Sequence, residues 1–150
     1  RWWLLGAPAG VGLATLRSIL RLWLGVSPNR SGVFSAGNGP AMRGPLLGVA
    51  IRDLDRLQDL VRASTRLPRA DPRAVSGAWI TALAARMSAT APTVSADRFV
   101  EDAMATFEEP DRRTWEPLFS SLTTSLVRCE TTETYASSLG LGRRGVSGFM

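Results

Sequence analysis

Apolar residues recur at steps of three and four along nearly the whole of this 150-residue chain. That spacing places them on one face of an α-helix, whereas a half-buried strand would need strict alternation. Asp71, Ser95 and Asp111 stand where they would cap the helices that follow them. No segment predicts a strand, and no internal repeat is found. The sequence therefore predicts an all-α packed bundle, with a single domain over residues 1–150.

The residue types that are missing exclude whole classes of chemistry. The chain contains no histidine and one cysteine, Cys129, which follows an apolar helix face and is predicted to be buried and inert. Ser-His-Asp and Cys-His catalysis, His-ligated metal sites and internal disulfides are therefore ruled out. The five tryptophans are predicted to be core or interface residues.

The charge pattern argues against nucleic acid as a partner. The net charge is +5 and the isoelectric point is near 11.1, but all 18 basic residues are arginine and they are dispersed along the chain. The apolar stretch 2–24 is broken by glycine and proline and carries Arg17 and Arg21, so we expect no membrane span. A cytoplasmic protein is predicted, and we expect the chain to be an internal piece of a longer one.

Residues 32–48 stand apart from the amphipathic helices. From residue 33 to residue 47 this stretch is interrupted by three glycines and two prolines, Pro40 and Pro45, which predicts an irregular backbone with at most a short helix after Pro40. Glycines that lead into a helix start let backbone N–H groups approach an anion. A phosphate- or sugar-binding turn and a tight packing turn between helices both fit this pattern.

Four landmarks in this chain resemble one known family. The run Ser-x-Gly-Asn-Gly-x-Ala-Met-Arg at residues 35–43, followed by proline, leucine and glycine, resembles the central signature of the ADP-ribosylglycohydrolases. Three weaker segments are similar to other family landmarks in the same order, at residues 10–15, 67–78 and 142–149. The resemblance spans nearly the whole chain and implies a compact orthogonal helix bundle, incomplete at both ends.

The resemblance also implies a site and a reaction. Members hydrolyse the N- or O-glycosidic bond between ADP-ribose and a modified protein side chain or small molecule, with two magnesium or manganese ions beside the ADP-ribose pocket. By resemblance, the ADP-ribose-binding residues would be Gly10, Gly12, Phe34, Ser35, Ala36, Gly37, Asn38, Gly39 and Arg69. Met42, Arg43 and Asp71 would give structural support, with an ion pair favoured for Arg43 over a ligand contact.

Departures from the family pattern limit what this chain could do alone. The family's metal ligands come from Thr-Asp-Asp and Gly-Asp-x-Asp-Thr segments, and neither occurs here. The close acidic pairs are predicted to be surface charges rather than ligands: Asp53 with Asp55, Glu101 with Asp102, and Glu108 with Glu109. The family's Thr-His is Pro68-Arg69 here. The sequence therefore predicts part of an ADP-ribose pocket without catalytic or metal-binding residues. The alternative is a non-catalytic ADP-ribose-binding module or a truncated, inactive remnant.

Overall fold

A computed structural model describes residues 13–34, 38–67 and 70–139 of the protein. These residues form helices joined by short connections, and the all-α prediction is confirmed. The helices are α1 (Leu13–Trp23), α2 (Pro28–Ser31), α3 (Gly39–Ala50), α4 (Leu54–Arg66), α5 (Pro72–Thr90), α6 (Ala96–Thr106), α7 (Glu109–Val127) and α8 (Thr132–Ser138). None of the described helices is long and apolar enough to cross a membrane.

Two glycines bring α3 against α5 at backbone distance. A Cβ atom added to Gly44 would overlap the carbonyl of Ala78, and one added to Gly48 would overlap the carbonyl of Ala82. Both alanines are buried in this contact. Further along, Arg86 donates to the carbonyl oxygen of Ile51 at 2.9 Å. The contacts advance in the same direction along both helices, so α3 and α5 run parallel.

The prediction that residues 33–47 hold at most a short helix was wrong. Helix α3 continues for 12 residues with Pro45 inside it. Proline has no N–H, so the carbonyl of Ala41, four residues earlier, loses its helical partner. The Thr81 hydroxyl of α5 lies 2.9 Å from that oxygen and can donate to it. A tertiary contact therefore replaces the hydrogen bond that the proline removes.

The apolar core lies where α4, α5, α6 and α7 meet. Its buried members include Leu57 and Val61 of α4, Trp79 and Leu83 of α5, and Ala103, Phe107, Trp115 and Phe119 of the following pair. The Phe107 and Trp115 rings stack with centroids 6.2 Å apart. The indole N–H of Trp79 donates to the Thr106 hydroxyl at 2.8 Å. This bond ties the end of α6 to the middle of α5.

Three sequence predictions concern residues at the ends of α6 and α7. Ser95 caps α6 by accepting a hydrogen bond from the backbone N–H of Arg98 at 3.2 Å, as predicted. Asp111 was predicted as a cap, but α7 begins two residues earlier, at Glu109, because Pro110 favours the first helical turn. Cys129 was predicted to be buried and is exposed, since it lies past the end of α7 with φ of +53°.

The prediction that the tryptophans are core or interface residues is confirmed for the two that lie in α5 and α7. Trp79 and Trp115 are buried in the core. Trp23, the last residue of α1, is half exposed. Trp2 and Trp3 lie outside the described residues.

Candidate functional site

The helix starts of α3 and α5 lie at the same end of the molecule because the two helices run parallel. Helix α4 connects them and runs back toward this end, where the Arg43 guanidinium donates to the carbonyl oxygen of Ser64 at 3.2 Å. The described first turns of α3 and α5 therefore lie at one end of the α3–α5 pair. The segments that lead into these two helices carry most of the predicted site.

Hydrogen bonds hold the two leading segments together. The backbone N–H of Ala70 donates to the carbonyl of Val33 at 3.0 Å. The hydroxyls of Ser18 and Ser31 lie 2.7 and 3.2 Å from the carbonyl oxygen of Leu67. Both serines are buried, so this carbonyl is satisfied within the fold. Val33 and Ala70 are thus hydrogen-bonded neighbours, and Leu67 is held by two buried serines.

Several predicted site residues lie outside the described residues, namely Gly10, Gly12, Ser35, Ala36, Gly37 and Arg69. Their described neighbours are at the shared end. Phe34 is 72% exposed, and Asn38 is exposed directly before α3. Gly39 is the first residue of that helix.

The start of α3 differs from the starts of the next three helices. Asp53, Asp71 and Ser95 each accept a backbone hydrogen bond that caps α4, α5 or α6. Asn38 has helical φ and ψ angles, and its side chain makes no capping bond to the described first turn of α3. Free N–H groups at a helix start favour a negatively charged ligand, and the helix dipole adds to that preference.

Asp71 is a buried charged group near this end. Its side chain accepts hydrogen bonds from the backbone N–H, Nε and Nη2 of Arg73, at 3.0, 3.1 and 2.9 Å. The residue is 1% exposed. The side-chain hydrogen bond from Arg73 holds the pKa of the Asp71 carboxyl below its ordinary value, although burial opposes that shift. Asp71 caps α5 as predicted, and its carboxylate is paired with the guanidinium of Arg73.

The two signature residues Met42 and Arg43 take different positions. Arg43 meets the Ser64 carbonyl, and it forms no ion pair with any described carboxylate. Met42 is 72% exposed, because α3 turns its glycines rather than this side chain toward α5. The contact that secures α3 is therefore made by Gly44, Gly48 and the Thr81 hydroxyl.

A family model for ADP-ribosylglycohydrolases matches residues 1–146. The chain belongs to the ADP-ribosylglycohydrolase family. No curated protein and no solved structure matches the chain. Family membership gives the chain a general activity, the hydrolysis of ADP-ribosyl bonds. Members of the family are generally metal-dependent.

The side chains of this ADP-ribosylglycohydrolase do not fit a metal pair. Among the described residues, no group of three or more His, Cys, Asp or Glu could hold a metal ion. All 13 acidic residues and Cys129 fall within residues 13–34, 38–67 and 70–139, and the chain has no histidine. Four carboxylates are engaged by arginine instead, at Asp71, Asp102, Glu109 and Glu130. We derive no catalytic step through a metal from these residues.

Sequence reasoning missed the residues that hold the site in shape. Thr81 in α5 supports α3 through the carbonyl of Ala41, 40 residues away, and Ser18 and Ser31 bind the carbonyl of Leu67. The one available signal was Pro45, which requires a substitute donor for the Ala41 carbonyl if α3 is to continue. The sequence gives no indication of which hydroxyl meets that requirement.

Proposed function

We propose that this chain supplies one wall of the ADP-ribose pocket of a cytoplasmic ADP-ribosylglycohydrolase. The complete site would hydrolyse the glycosidic bond between ADP-ribose and a modified protein side chain or small molecule. The backbone of residues 35–39 would receive the diphosphate and distal ribose, with Gly10, Gly12 and Phe34 along the same wall. Arg69 would add a cation to the phosphates.

The parallel packing of α3 on α5 is the observation that carries this proposal. The hydrogen bond between Ala70 and Val33 supports it, because Val33 lies two residues before the signature segment and Ala70 one residue after Arg69. A diphosphate needs several donors that converge from different directions. The first turn of α3, which the Asn38 side chain does not cap, and an arginine side chain would be two sources of such donors.

The positions of the carboxylates support a role for this chain in binding ADP-ribose without hydrolysing the glycosidic bond. No described cluster of them resembles a metal centre, and Asp71 is held by Arg73. Glycoside hydrolysis needs an acidic group or an activated water near the anomeric carbon. We therefore expect the 150-residue chain by itself to be inactive, and any metal ions of the complete site to be held elsewhere.

Calorimetric titration of the 150-residue chain with ADP-ribose tests the proposal. We expect binding with the same affinity in a chelator and in magnesium or manganese, because the proposed contacts need no metal. Arg69→Ala should weaken binding about tenfold to a hundredfold, the range for a hydrogen bond to a charged group. The matched control is Arg66→Ala, an exposed arginine in the last turn of α4.

Three outcomes would count against this assignment. Absence of binding at millimolar ADP-ribose, in a sample that elutes from gel filtration as a sharp monomer, would overturn it. Equal losses from Arg69→Ala and Arg66→Ala would remove Arg69 from the pocket. Hydrolysis of ADP-ribosyl-arginine by the isolated chain would refute the expected inactivity.

A non-catalytic ADP-ribose-binding module is the second candidate. The absence of any metal-type cluster among the described carboxylates favours it. The protein sequence encoded on either side of this segment in its genome would distinguish the hydrolase from the binding module. Flanking Thr-Asp-Asp and Gly-Asp-x-Asp-Thr segments in the same reading frame would support the hydrolase.

A further inference from the structure

The positive charge of this protein is concentrated in the first third of the chain. Residues 1–52 contain six arginines and no aspartate or glutamate, whereas the other 98 residues contain 12 arginines and 13 acidic residues. The whole net charge of +5 therefore originates in this first third, which includes α1, α2 and α3. Such an asymmetry favours contact with a negatively charged partner.

Helix α1 exposes leucine and arginine side chains on one face. Four exposed side chains follow one another at steps of four, three and four residues, which places them on one side of the helix: Leu13, Arg17, Leu20 and Leu24. The N–H of Leu24 donates to the Leu20 carbonyl at 3.0 Å, so the helical path includes Leu24, which is 83% exposed. The buried Ser18 faces the rest of the fold. The four side chains therefore form the outer face of α1.

A cleft lined by arginine adjoins the end of this outer face. Gly25 has φ of +81°, and the N–H of Val26 donates to the Arg21 carbonyl at 3.0 Å, so the chain turns back where α1 ends. Arg21 and Arg30 both line the open cleft that this turn creates, which has a volume of about 570 Å³. Its described lining adds the polar Ser27 and contains no carboxylate. The cleft therefore suits negatively charged side chains.

The arginines of this surface have unused hydrogen-bond donors. A guanidinium carries five N–H donors, and Arg21 donates one to the carbonyl oxygen of Gly32 at 3.0 Å. Elsewhere in the described chain, four arginines are paired with carboxylates. None of those ion pairs involves Arg17, Arg21 or Arg30. The described fold therefore does not supply the counter-charges of this surface.

The combination of apolar and cationic groups selects among possible partners. A nucleic acid gains its affinity from many neutralised phosphates, and three arginines among exposed leucines do not provide enough cations. A helix that lies on a membrane separates its apolar and charged faces, whereas Arg17 stands between Leu13 and Leu20. A second copy docked through the same face would bring like charges together. A polypeptide helix that carries carboxylates and apolar side chains on one face matches both properties.

We propose that the outer face of α1 and the adjoining cleft form a docking surface for an acidic amphipathic helix of a partner protein. The apolar side chains of that helix pack on Leu20 and Leu24. Its carboxylates accept hydrogen bonds from the guanidinium groups of Arg17, Arg21 and Arg30. None of these residues belongs to the ADP-ribose wall proposed above, so the two proposals stand or fall separately.

Fluorescence anisotropy of a labelled synthetic peptide tests this surface on the 150-residue chain. The probe is a peptide of about 16 residues, long enough to form a helix, with leucine and glutamate on one helical face. One control peptide has lysine in place of each glutamate, and a second has the same composition in scrambled order. We expect the acidic peptide to bind at micromolar concentration and both controls to bind at least about tenfold more weakly. Its affinity should fall at high salt.

Substitutions on the docking surface and away from it locate the bound peptide. Arg30→Gln and Leu24→Ser change exposed residues, so the urea midpoint should stay unchanged. Each should weaken the acidic peptide about tenfold or more, through a lost charge-assisted hydrogen bond or lost apolar burial. The matched controls are Arg56→Gln in the first turn of α4 and Val127→Ser at the end of α7, both at exposed positions. These controls should leave the affinity unchanged, and Leu24→Ser should bind ADP-ribose as the unmodified chain does.

The proposal is overturned if the acidic peptide does not bind at millimolar concentration, or binds no better than its lysine counterpart. Losses of equal size from Arg30→Gln and Arg56→Gln would mean that net charge alone attracts the peptide. Tighter binding to phosphatidylserine vesicles or to a DNA duplex, lost in Leu24→Ser and Arg30→Gln, would assign the surface to a membrane or a nucleic acid instead. A dimer in sedimentation that Leu24→Ser dissociates would assign it to a second copy of the chain.

Discussion

The Thr81 hydroxyl lies 2.9 Å from the carbonyl oxygen of Ala41, the acceptor that Pro45 leaves without its helical donor. The same hydroxyl is 3.0 Å from the Ala78 carbonyl of its own helix. A single O–H can serve one of the two oxygens at a time, and the Ala78 carbonyl also has the usual helical donor. The Ala41 carbonyl has no helical donor, so the Thr81 hydroxyl satisfies it, and α3 can continue past its internal proline.

Replacing this hydroxyl should therefore destabilise the chain. We expect Thr81→Val to lower the free energy of unfolding by about 1–3 kcal/mol, since it leaves a carbonyl unsatisfied at a helix contact. Urea denaturation measures the change. Thr124→Val is the control, because Thr124 makes a similar contact to the Ser120 carbonyl on an exposed face of α7. In a Pro45→Ala background, residue 45 supplies its own N–H, so Thr81→Val should cost less there; an undiminished cost would contradict this account.

A methyl group at Gly48 should be costly for a different reason. It would overlap the backbone of Ala82, and backbone can give way only if α3 and α5 separate. We expect Gly48→Ala to destabilise the chain by about 1–3 kcal/mol or more. Val49→Ala on the exposed face of α3 should be nearly neutral in the same denaturation experiment. Equal effects of the two substitutions would mean that the helices are not in backbone contact.

The two capping aspartates should respond differently to loss of charge. Asp53 and Asp71 both cap helices, but only Asp71 is buried and paired with an arginine side chain. Asparagine caps about as well as aspartate, so Asp53→Asn should change stability little, whereas Asp71→Asn loses the Arg73 pair and should destabilise the chain. The pKa of Asp71 is lowered in the folded state, so its contribution is present at neutral pH and disappears as the pH falls through that value. The difference between wild type and Asp71→Asn should therefore shrink on acidification; a constant difference would exclude the ion pair as its cause.

Charge at the start of α3 should have opposite effects on stability and on binding. Asn38→Asp places a negative charge at the positive end of the helix dipole, which should stabilise the chain by about 0.3–1 kcal/mol. The same charge would repel a diphosphate, so ADP-ribose affinity measured by calorimetry should fall. Ser88→Asp, near the far end of α5, should leave the affinity unchanged. If Asn38→Asp binds ADP-ribose as tightly as the unmodified chain, the diphosphate does not lie at this helix start.

The fold was predictable where the determinants are local. Asp71 and Ser95 were predicted as caps because a cap depends on a few adjacent residues, and both predictions were confirmed. Asp111 was assigned wrongly for an equally local reason, since Pro110 starts α7 earlier. Helix α3 was missed because the group that permits it, Thr81, is 40 residues from its partner Ala41.

The candidate site was only partly predictable for the same physical reason. The signature at residues 35–43 identified the family, which the match over residues 1–146 confirmed. The arrangement around it depends on the tertiary contacts of Gly44 with Ala78 and of Val33 with Ala70. Short-range patterns carry no information about such pairings. The ligand-binding roles of residues 34–39 and Arg69 remain predictions.

The glycine contact between α3 and α5 has a consequence for ligand selection. At Gly48 the nearest atoms of α5 are all backbone atoms of Ala82, so the spacing of the two helices there has no side-chain rotamers to change. If ADP-ribose binds at the starts of these helices, as proposed, α3 and α5 would not close around a smaller ligand. Selectivity at this end would then be set by the size of what enters, and little ordering entropy would be lost on binding.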